Sequence, residues 1–184
     1  MTTLISNKKW DSKSELHAHL EEIGHRTLIV GLTAESPRDF FSFSIMSEFG
    51  AAEIGVFSSG LGIAPSIVVL DSGQRALVGH DMWLTWIDLQ SLSIMKSRRF
   101  DGAFYEFLSI DCDDEIIVLH ELGALRVDAQ GSIKWTVDTD VVEDSRVDQH
   151  GNLVLTLMDQ DPLLILSLES GITQQGNPQD YRGH

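Results

Sequence analysis

The chain has 184 residues, with 13 Lys plus Arg against 28 Asp plus Glu, a formal net charge of −15. Hydrophobic residues make up 42% and charged residues 22%, which excludes wholesale disorder and allows a sizeable core without covalent staples. The acidity is concentrated. Residues 1–100 hold 11 acidic and 9 basic residues, net −2, whereas residues 101–170 hold 16 acidic residues against Arg126, Lys134 and Arg146, net −13. A field of that sign repels phosphate. The expected partner is therefore a basic protein, not nucleic acid and not a membrane surface. The competing explanation is that acidity serves solubility alone. Cys112 is the sole cysteine, so no intrachain disulfide can form, which fits a reducing compartment. Lys8 and Lys9 precede no apolar run of signal-peptide type, and the apolar runs Ser66 to Leu70 and Leu163 to Leu166 are too short to span a bilayer. The expectation is a soluble, cytoplasmic protein.

In chain order, residues 11–23 predict one helix. Asp11 or Ser12 can cap it, Glu15 follows Ser12 by three, and Leu16, Leu20 and Ile23 make one apolar stripe up to Gly24. A helix of about three turns needs a surface to pack on. After Gly24 the period becomes two. Thr27 to Thr33 reads as a strand, Phe41, Phe43 and Ile45 alternate with serines, and Ala52 to Phe57 can return antiparallel before Gly60, Gly62 and Pro65 break the pattern.

From Ser66 three segments can be laid over one another, starting at Ser66, Glu106 and Asp144. Each has a strand ending in Asp (Asp71, Asp111, Asp148) and a second strand (Ala76–Val78, Ile116–Leu119, Leu153–Leu155). A third strand follows (Leu84–Ile87, Ala124–Val127, Leu163–Leu166), closed by Asp88, Asp128 or Ser167. A period near 40 with several short strands per repeat is the pattern of propeller blades. Gly73, Gly131, Gly151 and Gly171 fall where tight hairpins need a positive φ.

The run Gly131-Ser-Ile-Lys-Trp135, then Asp148-Gln-His-Gly-Asn-Leu-Val154, then Leu166-Ser-Leu-Glu-Ser-Gly171 resembles the blades of WD-repeat and quinoprotein-type β-propellers, over residues 66–175. No GH…WD signature accompanies it. The resemblance implies a mainly β fold of antiparallel repeat-built sheets, a small or incomplete β-propeller, with residues 27–70 as a degenerate further unit. An open curved sheet or a two-sheet sandwich is the alternative. The organisation expected is an N-terminal arm and helix over 1–25, a β-rich repeat domain over 26–175 and a flexible tail over 176–184.

Three acidic clusters stand out: Asp111, Asp113, Asp114 and Glu115; Asp138, Asp140, Glu143 and Asp144; and Asp159 with Asp161. The first and third are expected on equivalent inter-strand turns or close to them, so that these carboxylates could share one rim and face a basic partner. No calcium-loop pattern with a distal Glu is present, and His17 and His19 do not share a helix face. His80, His120 and His150 stand in no metal or catalytic motif. Ser58-Ser59-Gly60-Leu61-Gly62 is a turn without a following helix, and the carboxylates around Cys112 disfavour a thiolate. Trp83, Trp86, Trp135 and Phe104-Tyr105 are expected to pack between blades. Lys96, Arg98 and Arg99 read as a charged edge strand. No catalytic residue, metal or cofactor is expected. The expected function is a non-enzymatic acidic protein-binding module, such as a bacterial immunity protein neutralising a basic toxin, for example a nuclease. The alternatives are a scaffold repeat protein or a cryptic metal-dependent hydrolase.

Overall fold

The computed structural model describes residues 4–31, 36–61, 63–70, 73–110, 114–158 and 163–173. The tail expected over 176–184 lies outside them, as do Asp71, Asp111, Cys112, Asp113, Asp159 and Asp161. No helix among the described residues is long and apolar enough to cross a membrane.

The helix forms where the sequence places it, as α1 (Lys13–Ile23). The Ser12 hydroxyl accepts the Glu15 N–H at 3.2 Å, and the Glu15 carboxylate accepts the Asp11 N–H at 3.2 Å. One orphan donor of the first turn is thereby met, and the residue before the cap is tied to the same turn. Gly24 ends the helix at φ 77 with its N–H on the Leu20 carbonyl. Beside the helix lies the first sheet, of β1 (Leu4–Trp10), β2 (Thr27–Val30), β3 (Asp39–Ser47) and β4 (Gly50–Ser58), in the order β1-β3-β4-β2. The expected hairpin is β3–β4. Strand β2 is parallel to β4, so this unit is not a simple meander.

The period-two alternation of β3 sorts its two faces. Phe43 and Ile45 pack with Ile54 and Val56 toward the second sheet, whereas Phe40 turns to the other face with Phe57, Leu16 and Leu20. A Cβ on Gly55 would stand 2.9 Å from the Leu20 Cδ1, so the bare backbone of β4 is what lets α1 seat closely.

The next three sheets are meanders in chain order. The second holds β5 (Ser66–Leu70), β6 (Arg75–His80), β7 (Trp83–Asp88) and β8 (Ser93–Arg99). The third holds β9 (Phe104–Ser109), β10 (Glu115–His120), β11 (Gly123–Asp128) and β12 (Ile133–Asp138). The fourth holds β13 (Val142–Val147), β14 (Asn152–Leu157) and β15 (Leu164–Ser167). Every neighbouring pair within them is antiparallel. The predicted repeat register is this register. The second strands are β6, β10 and β14, the third strands are β7, β11 and β15, and the four turn glycines have φ of 98, 85, 73 and 68. Beyond β15 the chain turns back, and Thr173 bridges to Leu166.

Sheets stack face to face in sequence. One apolar cluster joins the first sheet to the second (Val30, Phe43, Ile54 with Ala76, Val78, Ile87), a second joins the second to the third (Leu77, Trp86 with Ile116, Val127), and another joins the third to the fourth (Ile117, Leu119 with Leu153, Leu166). Strands buried on both faces explain the nearly continuous apolar runs of β6, β10 and β14. Trp86 and Trp135 are buried between sheets, as expected, and each sends its indole N–H to the neighbouring sheet's turn, at Asp128 O and Leu168 O. The fold is mainly β, repeat-built and β-propeller-like, with α1 covering the face of the first sheet turned away from the second.

Candidate partner-binding surface

Strand direction places every loop at one of two ends. One end carries the β6–β7 hairpin at Asp81 and Met82 and the β10–β11 hairpin at Glu121 and Leu122. It also carries the connections β8–β9 and β12–β13, which lie against those hairpins. The Phe100 and Phe104 amides donate to Met82 O and Asp81 O, and the Thr139 and Val142 amides donate to Leu122 O and Glu121 O. The opposite end carries the turns β7–β8, β9–β10, β11–β12 and β13–β14.

Of the first acidic cluster, Asp114 stands in the β9–β10 turn, at the second of these ends. Asp111 and Asp113 of that cluster, and Asp159 and Asp161 of the third, lie outside the described residues. Asp138, Asp140, Glu143 and Asp144 fall at the β12–β13 crossing, and all four are exposed. Exposed Asp101, in the β8–β9 connection, stands at that same end.

Glu115 is committed elsewhere. It begins β10 and pairs with Arg126 on β11 and with Lys134 on β12 at 3.6 Å. Lys134 also meets Asp128 at 3.1 Å, so this row of charges is largely neutralised within its own sheet. The Asp128 carboxyl sits below its usual value. Burial opposes its charge, but the Ser132 amide and Lys134 stabilise it more. Asp148 is held down in the same way, with burial outweighed by the Asn152 and His150 amides. These two carboxylates organise turns at the opposite end.

Two carboxylates at the acidic end are also structural, and the sequence reading passed over both. The Asp81 carboxylate accepts the Ser58 hydroxyl at 2.7 Å, the Ser59 hydroxyl at 2.9 Å and the Ser59 amide at 3.0 Å, and it faces His80 Nδ1 at 3.3 Å. Burial works against its charge, yet these bonds more than offset that and hold the carboxyl at about 2. Glu121, at the equivalent place 40 residues on, accepts the Ala103 amide at 3.0 Å. Each clamps the connection leading into its own sheet. Their spacing, equal to the repeat, was the signal available.

His80 and His120 close β6 and β10, while exposed His150 lies in the β13–β14 turn at the opposite end. The His120 ring stacks on Phe100 at 4.8 Å with 5° between planes, and its buried Nδ1 has no hydrogen-bond partner among the described residues. Burial lowers its pKa and Arg98 adds to this, against opposing contributions from Asp138 and Asp101. On the helix, His19 meets Glu53 at 3.1 Å while His17 stands edge-on to Phe57. Among the described residues no group of three or more His, Cys, Asp or Glu side chains is placed to hold a metal ion.

No family model matches the chain, and no curated protein matches it. Solved structures with a partial likeness include the dihydro-heme d1 dehydrogenase NirN in complex with DHE. There the TM-score is 0.49 and the identity 16%, over 72% of this chain and 32% of that one. The Kuenenia stuttgartiensis hydrazine synthase gives 0.44 and 8%, over 59% and 33%. A protein of unknown function from Bacteroides caccae gives 0.40 and 13%, over 86% and 62%. The chain covers less than two thirds of each. The β-propeller-like class rests on the chain's own repeated antiparallel sheets.

Proposed function

We propose that this chain is a non-enzymatic protein-binding module that takes a basic protein partner on its acidic end, in the manner of a cytoplasmic bacterial immunity protein that neutralises a basic toxin such as a nuclease. The observation that carries the reading is the gathering of exposed Asp101, Asp138, Asp140, Glu143 and Asp144 at one end of adjacent sheets. At the other end Glu115, Asp128 and Asp148 take part in ion pairs and turns. Such a field accelerates encounter with a basic surface and is screened by salt.

Affinity capture from the native cell tests the proposal. A basic protein should be retained at low ionic strength and released by salt. The variant Asp138→Lys, Glu143→Lys, Asp144→Lys should fail to retain it, because all three positions are exposed and their reversal leaves the core untouched. Capture of the same partner by wild type and variant alike, or retention indifferent to salt, would contradict the proposal.

A further inference from the structure

Among the described residues β1 is an edge strand, and it is exposed along nearly its whole length. The side of an edge strand turned away from its neighbour presents unpaired N–H and C=O groups, a template for a further strand. The other edge strands of this fold are protected by shape. Strands β2, β5 and β15 have only four, five and four residues, and the pairings of β8, β9, β12 and β13 each carry a register shift. Short strands and bulges both discourage edge-to-edge contact. Strand β1 has neither protection. It runs for seven residues in unbroken register with β3, from Leu4 opposite Met46 to Trp10 opposite Phe40.

Lysines on an edge also discourage pairing, but those of β1 are engaged within their own sheet. Lys9 Nζ lies 2.6 Å from the Asp39 carboxylate, and Lys8 Nζ lies 3.5 Å from the centre of the Trp10 ring. The other half of the strand is apolar and open. Leu4 is 69% exposed and Ile5 41%, and Met46, opposite Leu4, is 50% exposed.

Register and charge identify the occupant. Two antiparallel copies of β1 about a two-fold axis at Asn7 would set Leu4 opposite Trp10, Ile5 opposite Lys9 and Ser6 opposite Lys8. All seven residues then pair, and no like charges stand opposite each other. The same operation on β8, the other seven-residue edge strand, would set Lys96 against Lys96. Residues 1–30, which supply β1, α1 and β2, hold four acidic and four basic residues. A contact there joins two chains of net −15 through a neutral part of each.

We propose that β1 is a self-association edge, pairing antiparallel with β1 of a second copy of this chain about a two-fold axis at Asn7. The contact uses the first sheet and not the acidic end, so it and the proposed partner surface can fail separately.

Sedimentation velocity of the whole chain tests this. The mass should rise from 20.4 kDa toward twice that value as concentration is raised from about 1 to about 500 µM. Ile5→Lys combined with Asn7→Lys opposes like charges at three places in the dimer and should weaken association at least roughly tenfold. Both positions are exposed, so the variant should keep its fold. Cross-linking gives a second readout. In a Cys112→Ser background, Asn7→Cys should join two chains under mild oxidation, because directly opposed strand residues stand within disulfide reach. Leu4→Cys in the same background should not. The proposal is overturned by a mass of 20.4 kDa throughout that range, by a dimer that the double lysine variant leaves intact, by species heavier than a dimer, or by cross-linking at Leu4 and not at Asn7.

Discussion

Asp81 adopts a left-handed backbone at φ 49, a conformation that Asp and Asn tolerate better than most residues, and its carboxylate ties Ser58 and Ser59 to the β6–β7 hairpin. With the folded carboxyl at about 2 against an ordinary 3.8, the unfolded chain binds the extra proton between those values. Stability from this group is therefore complete above pH 3.8 and is lost as pH falls toward 2, by about 2 kcal/mol. Asp81→Asn keeps the backbone preference and should lose that part of the acid slope in urea unfolding between about pH 4 and 2. His120 acts in a separate window. Its pKa is lowered in the fold, so the unfolded chain takes up a proton first and stability falls as pH drops below 6.5. His120→Gln should flatten unfolding free energy in that region while leaving the lower window intact. At this scale the sequence was only half legible. It displayed every carboxylate, but Glu115 in an ion pair and exposed Asp138 look alike until strand register sets Arg126 beside Glu115.

Among the elements, α1 was legible because its cap, stripe and stop all lie within one short stretch. Replacing Ser12 by Ala removes the acceptor for the Glu15 amide and should cost about 1 kcal/mol in chemical denaturation. Leu16→Ala opens space between α1 and Phe57 and should cost about 2–5 kcal/mol. The inner repeat strands β6, β7, β10, β11 and β14 were legible for a different reason: each is buried along nearly its whole length, so it carries its own apolar run. Strand β1 was not, since Leu4–Trp10 is exposed along nearly its whole length and is made a strand by pairing with β3. The parallel pairing of β2 with β4 was equally hidden, because periodicity reports which face is buried and not which neighbour lies alongside.

Over the whole molecule, the acidic residues described within 101–170 fall into two populations. Part anchors turns and intra-sheet pairs, and part stands exposed at the β8–β9 and β12–β13 crossings. The sequence located the charge on two successive repeats. The most direct test is the association rate of the captured partner with wild type and with the Asp138→Lys, Glu143→Lys, Asp144→Lys variant, measured from about 0.05 to about 0.5 M salt. The account predicts a wild-type rate that falls steeply with salt, and a variant at least roughly tenfold slower at the low end that converges on wild type at the high end. Equal rates for the two proteins at low salt would contradict it.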